Sequence, residues 1–345
     1  MPAPAETTEA IPASGTAAVV DHQAHWYPRS YLESLVGRST FPRVERTADG
    51  GYVRWVDDGV AQPAINTLTM DVQEHLAQAT AAGIDMLVIG PATLGEVLHL
   101  PARQAAELVD QIHVEYAAAQ ASHPDRVACL AALPMQDPAV ALEVLDRAVG
   151  ELGLKGVSLL TVNEGRPLVS EGSLEVFTRI AELGVPLFLH PGLRSTTRRH
   201  TRGFRDEVGL GWMYQTAAAA LELVDGGVLD AVPDLTVVHP HLGGVLPYVA
   251  GRISALPGSK ARHPLERYLK TRFYTDTAAS TPAALALAIQ TYGIDRLLFA
   301  TDHPFNPMPA LRNHLEHNLD PHDAARIYAN RIPGPPERNQ RRHQA

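Results

Sequence analysis

Apolar runs of strand length recur along this chain, each bounded by turn residues. They cover 18–25, 85–91, 127–133, 154–160, 186–190, 235–240, 272–276 and 296–301. The runs are continuous rather than alternating, the pattern of parallel strands buried on both faces. Between them lie Ala- and Leu-rich stretches of helical character at 72–83, 101–122, 138–149, 173–184, 213–227 and 282–293. Several of these end at Gly, as helix C-termini do. Such alternation predicts a (β/α)8 TIM-type barrel or a doubly wound sheet. The barrel is favoured because polar residues stand at the ends of the first, fifth, sixth and eighth runs, and only closure brings the first and last strands together.

One stretch breaks the rhythm. Residues 27–70 separate the first strand from its helix, far beyond an ordinary connection. Within it GYVRWV and AINTLTM alternate like short antiparallel strands, and Tyr52, Trp55 and Ile65 speak against a structureless loop. A small cap over the barrel mouth is expected there. The barrel with its insertion is assigned to 18–332, flanked by Ala/Pro/Thr-rich residues 1–17 and Pro/Arg-rich residues 333–345, both expected to be disordered.

With 345 residues, 45% hydrophobic, the chain has ample material for one such domain. The net charge of −9 argues against a nucleic-acid surface, which needs clustered positive charge. No window approaches the roughly 18 apolar residues of a membrane span. The N-terminus has neither the basic start nor the apolar core of a signal peptide. The single Cys129 sits in an apolar run and reads as a small buried hydrophobe in a reducing, cytoplasmic setting.

Four segments carry the chemistry: AVVDHQAHWYP at 18–28, LFLHPG at 187–192, TVVHPHLGG at 236–244 and LLFATDHPF at 297–305. Strand alternation places Asp21, Gln23 and His25 on one face and His22 on the other. His25, His190 and Asp302 each end a strand. A carboxylate buried at a barrel mouth needs a cation or hydrogen-bond donors to offset its desolvation, or else caps a helix. His303 falls on the opposite parity and is expected either to back the site from behind the ligands or to be structural. Trp26 walls the pocket or packs in the core. The loop after the fifth strand carries Arg194, Arg198, Arg199, His200 and Arg202, which could attract an anionic substrate or simply be solvated.

The order and wording of these segments resemble the amidohydrolase-2 family, which includes aminocarboxymuconate semialdehyde decarboxylase and the resorcylate decarboxylases. The resemblance spans roughly 18–330 and implies a non-oxidative decarboxylase acting on a small aromatic or conjugated carboxylic acid. It implies one divalent metal, zinc first and manganese as the alternative, on His25, His190 and Asp302. It makes His241 the proton carrier, with Asp302 sharing that work, and sets Arg252 on the substrate carboxylate, often across a homodimer interface; Trp26 and Arg194 complete the substrate side. Lys155 and Asp276 match family wording and are expected to be supportive.

The chain departs from the family at one place. The first segment of the family reads His-x-His or Glu-x-His, whereas Gln23 holds the first position here. An amide oxygen is a weak ligand beside an imidazole or carboxylate, so the metal would be weakly held or absent. A bulge swinging His22 inward, or His239 on the sixth strand, could stand in. A lactone-type hydrolase or other lyase, working without metal, is the alternative activity, and a repurposed barrel with a decayed site is the second.

Overall fold

The computed structural model describes residues 18–48, 50–57, 60–62, 71–92, 100–161, 167–192 and 204–332. Among the described residues there are eleven strands: β1 (Val20–His25), β2 (Arg43–Arg46), β3 (Tyr52–Asp57), β4 (Val60–Gln62), β5 (Met86–Gly90), β6 (Val127–Ala132), β7 (Gly156–Leu160), β8 (Leu187–His190), β9 (Val237–His239), β10 (Phe273–Asp276) and β11 (Leu297–Leu298). Around them lie α1 (Arg29–Leu35), α2 (Val72–Ala81), α3 (Ala102–Ser122), α4 (Pro138–Leu145), α5 (Ser173–Leu183), α6 (Phe204–Asp206), α7 (Trp212–Asp225), α8 (Val228–Ala231), α9 (Leu246–Ser254), α10 (Leu265–Thr271), α11 (Pro282–Tyr292), α12 (Met308–Asn318) and α13 (Pro321–Ala329).

Eight strands form one parallel sheet in the order β1-β5-β6-β7-β8-β9-β10-β11, the (β/α)8 barrel order. The ends of the sheet are stitched by the chain just after β11. His22 N donates to Phe299 O at 2.9 Å, Asp302 N to Gln23 O at 2.9 Å, and His25 N to His303 O at 2.7 Å. Beside these, Asp21 accepts from Thr301 through both its backbone N–H and its hydroxyl. The eighth strand is thus shorter in regular pairing than the apolar run 296–301, because its second half bonds across the seam rather than along a ladder.

Two apolar clusters show how the barrel is filled. Leu87, Ile89, Cys129, Val157, Leu159, Leu189, Val237 and Phe273 pack outward against the helices. The alternate positions Val20, Met86, Val88, Ala128, Leu130, Phe188, Val238, Tyr274 and Leu298 pack with Ile332 and no helical residue, so they fill the lumen. That filled lumen is a floor, and chemistry is confined to the mouth above it.

Local sequence explains the helix starts. Asp71 accepts from Gln73 N, while Glu74 reaches back to Asp71 N, a complete capping box for α2. Asp137, Thr281 and Asp320 cap α4, α11 and α13, each followed by Pro in the first turn.

In the insertion, β2, β3 and β4 form a separate antiparallel sheet, with α1 before it. GYVRWV pairs as expected. AINTLTM and Ile65 lie outside the described residues, as do 1–17 and 333–345. Cys129 is buried and free. No helix among the described residues is long and apolar enough to cross a membrane.

Candidate metal centre and active site

β1 does not run straight. Its pairing with β5 slips by one residue between Asp21 and Ala24, so a bulge falls at His22–Gln23. The bulge replaces strict alternation, yet Gln23 and His25 both reach the mouth. Gln23 Nε2 lies 3.2 Å from Asp302 Oδ1, and His25 Nε2 lies 2.9 Å from the same oxygen. The bulge does not recruit His22. Its Nδ1 sits 3.2 Å from Phe299 O and its Nε2 has no protein partner. Burial pushes its pKa down to about 4. His239 is not among the clustered ligand atoms either; its Nδ1 pairs with the Tyr292 hydroxyl at 3.0 Å.

His25, His190 and Asp302 each offer a ligand atom, and these atoms lie within 4.8 Å of one another. Carbonyl groups set the ring tautomers. Gly90 O faces His25 Nδ1 at 3.2 Å and Pro191 O faces His190 Nδ1 at 2.8 Å. A carbonyl only accepts, so each Nδ1 carries a proton and each Nε2 is turned to the cluster. His25 Nε2 faces Asp302 Oδ1 at 2.9 Å, and a proton or a metal ion can fill the space between them. Two imidazoles and one carboxylate, with backbone partners behind the imidazoles, fit a divalent metal. The His25 and His190 rings meet edge-on at 4.9 Å.

Electrostatics agree with that fit. Burial pushes the His190 pKa down to about 3, aided by the charge of His25, so the ring is neutral and its lone pair available. Burial raises the Asp302 carboxyl, but the bond from His25 and the neighbouring imidazoles outweigh it and hold it below the usual range. Asp302 sits at φ 60°, a left-handed backbone that is uncommon outside Gly and a mark of a constrained site.

His241 stands next to this cluster, with Nε2 3.4 Å from Gln23 Nε2. It is buried and its Nδ1 has no protein partner. Its backbone is also left-handed, at φ 56°, and its N–H donates to Asp276 Oδ1 at 2.9 Å. Asp276, whose carboxyl burial pushes up, is therefore a support for His241. The two glycines of the HLGG phrase act on packing. A Cβ on Gly243 would lie 2.2 Å from the Tyr292 hydroxyl, and one on Gly244 2.3 Å from Met213 O, so they let α11 and α7 close in behind His241.

The remaining candidates are spread out. Trp26 is buried and stacked on Tyr116 at 5.6 Å, with its carbonyl accepting the Tyr116 hydroxyl, which is a packing role. Arg252 is exposed in the last turn of α9. Arg194, with Arg198, Arg199, His200 and Arg202, lies outside the described residues. Lys155 precedes the first residue of β7, at the barrel end away from the site, and its N–H bonds Cys129 O. Phe305, half exposed, sets its ring 5.8 Å from His25. His75 of α2 was not singled out in the sequence; its Nδ1 lies 2.9 Å from His303 Nε2. Nothing local marks it, since an isolated His in an amphipathic helix reads as surface.

A family model described as amidohydrolase matches residues 20–330. Gamma-resorcylate decarboxylase of Rhizobium sp. (strain MTP-10005) is 30% identical over 267 residues, covering 68% of this chain and 78% of that protein. Among solved structures, the 5-carboxyvanillate decarboxylase of Sphingomonas paucimobilis superposes with a TM-score of 0.78 at 21% identity, covering 91% of this chain and 97% of the other. The dihydroxybenzoic acid decarboxylase of Polaromonas sp. JS666, solved with manganese and 2-nitroresorcinol, gives 0.69 at 22% identity, covering 90% and 94%.

Proposed function

Since the chain belongs to the amidohydrolase family, we propose that it is a metal-dependent, non-oxidative decarboxylase of a small aromatic carboxylic acid. The observation that carries this reading is the meeting of His25, His190 and Asp302 donor atoms within 4.8 Å at the mouth of a closed barrel, with His241 alongside. The names of the relatives point to hydroxylated benzoates as the substrate class.

In this reading His25, His190 and Asp302 hold one divalent ion, with manganese favoured over zinc by the Polaromonas structure. Bound there, such an ion would supply Lewis acidity to an oxygen-bearing aromatic substrate. Gln23 is an outer contact: its amide N–H groups are directed at Asp302 and His241. His241 moves the proton, delivering it to the ring carbon that loses carbon dioxide. Its place beside the cluster, with one nitrogen unpartnered in the protein, supports that role. Asp276 fixes its backbone.

The test is direct. The purified chain, supplied with manganese and 2,6-dihydroxybenzoate, is expected to release one carbon dioxide per resorcinol formed. Consumption of a lactone with no carbon dioxide from any hydroxybenzoate would overturn the reading in favour of a hydrolase.

A further inference from the structure

We propose that His75 is a positioning residue: through its hydrogen bond to His303 it holds the Asp302 carboxylate where a divalent cation needs it. The inference rests on the metal reading above.

Asp302 carries its carboxylate on a left-handed backbone, φ 60°, in the segment that seals the barrel seam. A non-glycine residue stays there only when its surroundings overdetermine it. On the β1 side Gln23 and His25 contact the carboxylate, Asp21 accepts from Thr301, and backbone bonds tie down the segment. Asp302 N donates to Gln23 O, His25 N to His303 O, and Phe305 N to Asp302 O. Internally, His303 N donates to the Thr301 hydroxyl at 3.2 Å and Asn306 Nδ2 to Thr301 O at 3.1 Å. Those bonds fix the segment to β1 and to itself, but leave its other flank to be held from α2. There the His303 ring meets His75, with Nε2 and Nδ1 2.9 Å apart and the rings perpendicular at 5.0 Å.

The pair is an expensive choice for mere filling. Both rings are buried, His75 at 1% and His303 at 3% exposure. His75 Nε2 has no protein partner. A proton placed on that nitrogen would be an unpaired buried donor. The favoured arrangement is therefore Nδ1–H of His75 donating to Nε2 of His303, which also fixes the His303 tautomer. A position optimised for packing alone would carry an apolar side chain of similar size, with no orphaned nitrogen. What the imidazole pair adds is direction: it sets the rotation of His303, and with it the peptide joining His303 to Asp302. Outer contacts of this kind orient ligands and affect metal affinity.

The experiment is manganese(II) titration of the metal-stripped full chain, following free ion by electron paramagnetic resonance. His75→Leu is expected to weaken binding by about 10–100-fold, with the melting temperature of the metal-free chain kept or raised. His75→Asn sets an amide nitrogen near the position of Nδ1 and is expected to restore most of the affinity. The cobalt(II)-loaded parent and His75→Asn should share one visible spectrum, and His75→Leu should differ. If His75→Leu fails to fold, His303→Phe breaks the same bond from the other side and carries the same expectation. Parent-like affinity in the folded variant would overturn the proposal. So would equal weakening in His75→Asn and His75→Leu, which would make the effect one of packing. Failure of the underlying reading looks different: the parent itself would show no manganese site that Asp302→Asn removes, and the inference would fall with it.

Discussion

His25 Nε2 and Asp302 Oδ1 are 2.9 Å apart, although 277 residues separate them in the chain. The contact exists because the barrel closes. Gln23 joins it from the same strand, and His190 completes the cluster from β8, so the site belongs to no single segment.

Asp302→Asn and His190→Ala are each expected to empty the site. The first removes the only charge in the ligand cluster, the second one of two imidazoles. Elemental analysis of protein prepared with manganese should find one equivalent in the parent and little in either variant. Full occupancy in Asp302→Asn would move the site elsewhere.

Gln23→Glu and Gln23→His are expected to hold the ion more tightly than the parent. Both put a stronger ligand where an amide now sits 3.2 Å from Asp302. Competition against a chelator measures this. If neither binds more tightly, position 23 does not face the ion when it is bound.

His241→Ala is expected to keep its metal and lose turnover by about 10²–10⁴-fold, the usual cost of removing a proton carrier. Metal and carbon dioxide release are measured on one preparation. Parallel loss of both would make His241 a ligand.

Why were these positions legible and others not? His25, His190, His241 and Asp302 each stand at or just past the end of a strand run, with Trp, Pro or Gly one or two residues on, so strand and site are written in one phrase. Gln23 invites a bulge in β1 as a way to bring in His22, but the slip leaves His22 on Phe299 O, and Asp21 bonds Thr301 across the seam, a contact 280 residues apart that no local residue type announces. His75 lay hidden for a related reason. Its partner is 228 residues away, and helical periodicity alone cannot tell a His facing a neighbouring loop from one facing water. The HLGG glycines were legible as special but not as to purpose, since Tyr292 and Met213 reach them from other helices.

Acid is expected to destabilise the metal-free chain well above the carboxylate range. Burial lowers His22, His113 and His303 to about 4, and His75, His190 and His239 to about 3. Each folded pKa lies below the unfolded value near 6.5. The unfolded chain therefore takes up protons that the folded chain refuses, and stability falls as pH drops from about 6.5 towards 4 and then 3. Asp21, raised to about 7 by burial, acts in the opposite sense, as does Asp276, but the histidines outnumber them. Denaturant melts across pH 4–7 test this. His113→Gln should flatten the slope, because Ala132 N donates to His113 Nε2 at 2.9 Å and an amide oxygen can accept that bond. An unchanged slope would remove His113 from the account.

A homodimer built on α9 is expected. Tyr248 is 84% exposed and lies one turn before the exposed Arg252, with Leu256 a further turn on. Light scattering should give twice the chain mass, and Tyr248→Asp should shift it towards the monomer. A monomeric parent at working concentration would exclude any role for Arg252 in a neighbour's site.

The seam at which β1 meets residues 299–303 also sets when the protein can begin to work. Gln23 and His25 are made early, while Asp302 is among the last residues of the barrel to leave the ribosome. Contacts of such long sequence separation form late, because the chain between must first be ordered. A nascent chain stopped before residue 302 would have all eight barrel strands and the two cluster histidines but no carboxylate to gather an ion. If His25, His190 and Asp302 hold an ion as proposed, its uptake by a newly made chain would report that the whole barrel has closed.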